Sequence, residues 1–174
     1  MENKTLIAYF SREGDNYLAG KIVNLPVGNT EIAAKNIAEL TGGDLFKIER
    51  VTPYSGDYKT CVEEAKEEIR GNARPELIAY PENFQDYTLI ILGYPNWCGT
   101  MPMPVWTFLE KFNFSEKTIL PFCTNEGSGM GVSERDIRKL CPQADVKNGL
   151  SIRGGNVQHA GKEIAEWLKQ NGRI

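Results

Sequence analysis

Histidine occurs once in this chain, at His159, and its four cysteines (Cys61, Cys98, Cys123 and Cys141) form no C-x-x-C pair. Zinc-site spacing is therefore missing. The cysteines read as reduced thiols, as in a cytoplasmic protein. No apolar stretch reaches membrane-spanning length. The net charge of −3 over 174 residues leaves no electrostatic footprint for nucleic acid. Met1-Glu2-Asn3-Lys4 leads straight into the first apolar run, so no signal segment is expected. No repeat, low-complexity tract or domain boundary interrupts the chain. With 41% hydrophobic and 25% charged residues, residues 1–174 are expected to fold as one domain.

What is present begins with Leu6-Ile7-Ala8-Tyr9-Phe10. A near-continuous apolar run fits a strand buried on both faces, as in a parallel sheet. Ser11 ends it. A polar tract follows, with Leu18–Val27 reading as an insertion, and then Gly28-Asn29-Thr30. A helix pattern starts at Thr30, with Ala33, Ile37 and Leu40 on one face. A strand, a hydroxyl- and glycine-bearing loop and a helix N-terminus together favour an anion. The plainer reading is that Asn29 or Thr30 simply caps the helix. Gly14 and Gly20-Lys21 nearly match the nucleotide-triphosphate loop. The glycines stand one residue too far apart, and Ile22 replaces the metal-binding hydroxyl, so that reading fails.

Further along, Thr41-Gly42-Gly43 stops the first helix. Asp44–Glu49 alternates like an edge strand, and Asp57 is placed to cap a helix with Val62, Ala65 and Ile69 on one face and a solvated run of glutamates elsewhere. Tyr87–Tyr94 is the clearest buried strand, followed by a helix over Val105–Lys111. Thr118–Cys123 is a strand interrupted by Pro121. Ser133 is placed to cap a helix carrying Ile137 and Leu140. Asp145–Ile152 holds a shorter fifth strand. Val157, Ala160, Ile164, Trp167 and Leu168 face the core from the last helix. Alternation of this kind predicts an α/β fold, a doubly wound five-stranded parallel sheet with helices on both faces.

Ligands in such sheets bind beyond the carboxyl ends of the strands, at the switch in strand order. Three loops leave that edge: Ser11–Thr30, Pro95–Thr100 and Thr124–Gly131. They are rich in glycine, hydroxyl and amide groups and contain a tryptophan, which suits a phosphate and a flat heterocycle. None contains histidine.

These residues carry a resemblance. Ser11 with Gly28-Asn29-Thr30 resembles a split flavodoxin phosphate loop. Gly93-Tyr94-Pro95-Asn96-Trp97-Cys98-Gly99-Thr100-Met101-Pro102 is similar to the loop that holds the flavin ring in a flavodoxin subgroup. Thr124-Asn125-Glu126-Gly127-Ser128-Gly129 resembles the second flavin loop. The resemblance spans nearly the whole chain and implies a flavodoxin-like sheet of order 2-1-3-4-5 with non-covalently bound FMN. It implies that Ser11, Asn29 and Thr30, with Asn16 as an additional candidate, hold the phosphate. Pro95, Asn96, Trp97, Cys98 and Gly99 would line the ring, Trp97 stacking on it or shielding it. Thr124, Gly127, Ser128 and Gly129 would form the other wall. The alternative for Trp97 is a half-buried aromatic that packs the loop, and Cys98 reads as a small apolar filler. Gly99 frees the backbone, so that a carbonyl within Trp97–Gly99 can turn toward the protonated ring nitrogen of a one-electron-reduced flavin.

The implied function is a low-potential one-electron carrier between redox proteins, a reductase and an electron acceptor, working as a monomer or weak dimer. The other reading is an FMN-dependent NAD(P)H or quinone reductase. The mild net charge departs from the strong acidity of many flavodoxins. A hydrolase built on Ser128 and His159 lacks the G-x-S-x-G elbow and an orienting third group. A phospho-accepting signalling domain would need a carboxylate cluster at the strand ends, which Phe10-Ser11 and Tyr94-Pro95 do not supply.

Overall fold

The computed structural model describes residues 4–174; the expectation about Met1-Glu2-Asn3 lies outside them. Strand β1 (Lys4–Tyr9) is the run read above as a buried strand, and it pairs in parallel on both sides. β4 (Asp44–Lys47) lies along one side and β5 (Tyr87–Pro95) along the other, with Ile7 opposite Leu45 and Ile91. β6 (Thr118–Asn125) follows β5, and β7 (Asp145–Val146) and β8 (Leu150–Arg153) both pair with β6. The order β4-β1-β5-β6-β7/β8 is the expected 2-1-3-4-5, its fifth position shared by two short strands. β4 is an edge strand, as its alternation predicts.

Side chains alternate across the sheet, so β1 feeds two cores. Leu6, Ala8 and Phe10 join Val105 and Phe108 of α3 (Met103–Lys111) and Ile137 of α4 (Ser133–Leu140). Ile7 and Tyr9 join Ala33 and Ile37 of α1 (Asn29–Thr41) and Ile164 and Leu168 of α5 (Gly161–Gln170). The five apolar residues expected on the last helix are all buried, though Val157 sits in a 3-10 turn before α5 and Ala160 at its cap. Among the described residues no helix is long and apolar enough to cross a membrane.

Four local expectations change. Pro121 does not interrupt β6: it pairs in register with Leu92. Beyond it, β7 covers only Thr118 and Ile119 and β8 begins opposite Phe122, so the missing N–H faces the gap between them. Ser133 is not a cap. It is the first residue of α4, fully buried, receiving the Tyr94 hydroxyl at 2.8 Å and donating to the Met130 carbonyl at 2.6 Å. The insertion is a β-hairpin, β2 (Gly14–Leu18) and β3 (Lys21–Leu25), wider than Leu18–Val27 and separate from the main sheet. Finally, α2 (Tyr58–Arg70) has Asp57 as its cap, accepting from Thr60 N at 2.9 Å, but its glutamates are not all solvated. Glu68 turns inward to Arg50 at 2.6 Å and receives the Tyr54 hydroxyl.

Candidate functional site

Beyond the carboxyl ends of β1, β5 and β6 lies a cavity of about 410 Å³, lined by all three loops singled out in the sequence. One end is the start of α1. Its N-cap is Gly28, and neither Asn29 nor Thr30 caps it with a side chain. Among the described residues the N–H groups of Asn29 and Thr30 have no partner, while Glu31 N donates to Ser11 Oγ at 3.0 Å. Ser11 keeps its own hydroxyl proton to donate, and Thr30 shares a 2.7 Å hydrogen bond with Thr124 Oγ1. An open helix end, two unpartnered N–H groups and two hydroxyls make an anion-binding cradle.

The cradle is tightly built. A Cβ on Gly28 would stand 2.2 Å from Ser11 Oγ and 2.6 Å from the Arg12 carbonyl oxygen. A Cβ on Gly154 would stand 2.4 Å from Asn29 Nδ2 and 2.6 Å from Glu126 Oε1. At Gly28, where the close neighbours are backbone atoms of Arg12, glycine is what allows this approach.

The other end is formed by Pro95, Asn96, Trp97 and Cys98. Trp97 N donates to the Thr100 carbonyl at 2.9 Å and Thr100 N to the Trp97 carbonyl at 3.2 Å, closing a two-residue turn. Cys98 and Gly99 at its tip have φ of 54° and 88°, the signature of a type I′ turn. Cys98 is thus exposed at the tip, and the filler expectation is corrected: a residue pushed out on a positive-φ turn has nothing to fill. Asn96 ties the turn to the next loop, accepting from Gly99 N and donating to the Gly129 carbonyl, both at 2.9 Å. Trp97 is half-buried and lines the cavity, its ring edge-on to Phe10 at 5.1 Å and to Tyr54 at 4.9 Å.

Of the predicted residues, Ser11, Asn16, Asn29, Thr30, Pro95, Asn96, Trp97, Cys98, Thr124 and Ser128 line this cavity. Gly99, Gly127 and Gly129 do not. They shape its loops instead: Gly127 N and Gly129 N both donate to Asn125 Oδ1, at 2.9 and 3.0 Å. Asn16 spends its amide on the Arg12 and Gly14 carbonyls, each at 3.0 Å, bracing the root of the hairpin.

The sequence reading missed a fourth wall. Tyr58, Cys61, Val62 and Ala65 of α2 line the cavity with Tyr17 of the hairpin. Their spacing of i, i+3, i+4 and i+7 is one helical stripe, a signal available in the sequence. Burial pushes the Cys61 thiol up to about 11. Arg12 also lines the cavity, reaching the carbonyls of Ser55 at 2.6 Å and Gly56 at 3.0 Å. The hairpin is held at both ends, because Ala19 N at its tip donates to Glu126 Oε2 at 3.2 Å.

The donor set fits a phosphate at the α1 end. The flat-walled, amide-rich far end fits a heterocycle with hydrogen-bonding edges.

Comparison with known proteins agrees with this geometry. A family model described as Flavodoxin matches residues 4–171. Among solved structures, a protein from Bacteroides eggerthii, provisionally named a flavoprotein, is 29% identical with a TM-score of 0.78, over 96% of each chain. A second provisionally named flavoprotein, from Bacteroides uniformis, is 25% identical with a TM-score of 0.76, over 96% of this chain and 98% of its own. A flavoprotein from Lactobacillus acidophilus, solved in complex with FMN, shares the fold at 21% identity and a TM-score of 0.68, over 95% of this chain and 98% of its own. No curated protein matches the chain.

Proposed function

This chain belongs to the flavodoxin family, and from that premise we propose that it is an FMN-binding electron carrier working between redox proteins. The observation that supports this reading best is the open α1 terminus sharing one cavity with the Trp97–Thr100 turn. FMN, when bound, supplies the redox chemistry. Everything else is the work of the chain's own groups.

Asn29 N, Thr30 N and the Ser11 hydroxyl hold the phosphate, and the uncapped helix dipole favours its charge. Trp97 excludes water from the ring end of the cavity. Within the turn, the Trp97 carbonyl is taken by Thr100 N and the Gly99 carbonyl by Val132 N at 2.8 Å. Among the described residues the Cys98 carbonyl has no partner, which makes it the acceptor available to a ring N–H. A hydrogen bond that only one redox form could make would stabilise that form and shift the potential of the couple it belongs to.

A second reading, an FMN-dependent NAD(P)H or quinone reductase, draws on the wall of Tyr17, Tyr58, Val62 and Ala65, which suits a second flat molecule. Anaerobic reduction of the FMN-loaded protein separates the two. A carrier is untouched by NAD(P)H alone and takes up electrons from a chemical reductant in two resolved one-electron steps. Direct bleaching by NAD(P)H in one two-electron step establishes the reductase. Absence of FMN binding refutes both.

A further inference from the structure

Packed against Trp97 but not among the residues that line the cavity stands a tyrosine that the cofactor site does not use. Tyr54 packs its ring edge-on against Trp97 at 4.9 Å, 80° between planes, and against Phe10 at 5.9 Å, 83°. Phe10 in turn meets Trp97 at 5.1 Å and 78°. The three rings form one T-shaped cluster, an arrangement favoured by the opposed charge of ring face and ring edge.

Two of the three are anchored. Phe10 is buried at the end of β1, where its N–H donates to the Gly93 carbonyl at 2.9 Å. Tyr54 sits on an irregular loop, yet its hydroxyl donates to Glu68 Oε2 on α2. Glu68 Oε1 is paired with Arg50 at 2.6 Å, both side chains largely shielded at 13% and 14% exposure. Arg50 then lies over the face of the same tyrosine, 3.6 Å from the ring centroid. The loop residue Tyr54 is thereby gripped at its hydroxyl by a carboxylate and on its face by the guanidinium that neutralises that carboxylate. A shielded, charge-assisted network of this kind fixes geometry more firmly than an exposed ion pair.

The third ring, Trp97, has no such anchor. Its indole N–H has no partner among the described residues, and it is carried on a turn of two positive-φ residues. Its orientation rests on the other two rings. We propose that Tyr54, locked by Glu68 and Arg50, is a positioning residue that sets the orientation of Trp97 and, through it, the fit of the flavin ring. The second half of this inference rests on the FMN reading above; the first half does not.

The test uses the full chain labelled with 5-fluorotryptophan and observed by fluorine NMR. The Trp97 resonance is identified by its loss in Trp97→Phe. In protein without FMN, Tyr54→Phe keeps the ring and removes the anchor. It is expected to shift or broaden the Trp97 resonance while those of Trp106 and Trp167 stay in place. Glu68→Ala is expected to do the same, whereas Glu68→Gln, which keeps an acceptor for the Tyr54 hydroxyl, restores the wild-type signal. In FMN titrations followed by quenching of flavin fluorescence, Tyr54→Phe is expected to weaken binding up to about tenfold, the cost of immobilising one freed side chain on binding. An unmoved Trp97 resonance in Tyr54→Phe overturns the proposal, as does movement of all three tryptophans together, which marks a general loss of packing. A moved Trp97 resonance with unchanged FMN affinity overturns the link to the cofactor. Should wild-type protein not bind FMN, the reading of function falls, while the resonances without FMN still decide the role of Tyr54.

Discussion

Gly28→Ala tests the phosphate cradle most directly. Gly28 has φ −67°, which any residue adopts, so the substitution brings no backbone strain. The whole effect is steric. The new methyl would stand 2.2 Å from Ser11 Oγ, 2.6 Å from the Arg12 carbonyl oxygen and 2.9 Å from its carbon. Two of those three atoms are backbone, so the Ser11–Arg12 segment has to move off the helix terminus by about an ångström. Overpacking of this kind destabilises by about 1–3 kcal/mol, and at this chain length each kcal/mol lowers Tm by roughly 2–4 °C. Moving Ser11 also removes one hydroxyl donor from the phosphate. A hydrogen bond to a charged group contributes about 1.5–3 kcal/mol, so FMN affinity falls roughly tenfold to 150-fold. Gly56→Ala is the control, because nothing lies within 4 Å of a Cβ there. Isothermal titration with FMN and with riboflavin, which lacks the phosphate, gives the readout. The loss belongs to FMN, and riboflavin affinity stays nearly level. An FMN dissociation constant within twofold of wild type, or equal losses for both ligands, refutes the argument that this helix end binds phosphate.

The remaining predictions concern single groups. In native protein, a thiol reagent at pH 8 labels the exposed Cys98 first. Cys61, on the cavity wall and held up to about 11 by burial, reacts more slowly, and Cys123 and Cys141, both held up to about 12, react only on unfolding; early labelling of either of these last two contradicts the packing. Thr100→Val removes the hydroxyl that donates to the buried Asp136 Oδ2 at 2.7 Å, leaving Arg135 on Oδ1, and lowers the free energy of unfolding by about 1.5–3 kcal/mol, measured by urea titration. Burial works against the charge of Glu31, but Lys35 and Lys47 outweigh it and hold its carboxyl below the ordinary 4.5. Burial likewise opposes the charge of Lys47, which Glu13, Glu31 and Glu49 raise above 10.5. Glu31 therefore contributes stability above pH 4.5 that is lost as pH falls, and Lys47 contributes stability below pH 10.5 that is lost as pH rises. Lys47→Met is expected to flatten the stability profile at both ends; an unchanged profile shows that the pairs are fully screened.

Much of the fold was legible because the strands differ sharply from their surroundings. Leu6–Phe10 and Leu89–Tyr94 are apolar at every position, and only a central parallel strand buries both faces. The hairpin was not legible, for the converse reason. It pairs only with itself, carries Asp15, Asn16 and Asn24, and leaves Tyr17 and Ile22 about half exposed. Its turn is Ala19-Gly20, with φ of 49° and 85°, and alanine in that conformation is not a hairpin signal that sequence rules look for. Pro121 and Ser133 misled because each was judged by its usual local role. Pro121 is accommodated by the gap between β7 and β8, and Ser133 by the Tyr94 hydroxyl, features separated from them by tens of residues.

The site divides along the same line. Residues set at a strand end or helix start, such as Ser11, Gly28, Asn29, Thr30 and Pro95–Gly99, could be named because their placement follows from neighbours in sequence. The α2 wall could have been found from its i, i+3, i+4, i+7 stripe, but the glutamates beside it drew attention to the solvated face. The network behind Trp97 had no sequence signal at all. Arg50 and Tyr54, Glu68, and Trp97 belong to three different segments, and Arg50, Tyr54 and Glu68 each alone read as ordinary surface residues. Their coupling arises because the fold brings the loop after β4, helix α2 and the turn after β5 to one corner of the sheet edge. Loops present the chemistry of a site, but here the precision of the tryptophan depends on an ion pair that never touches the cavity. That dependence makes Tyr54, rather than any cavity-lining residue, the position where a small substitution separates folding from fit.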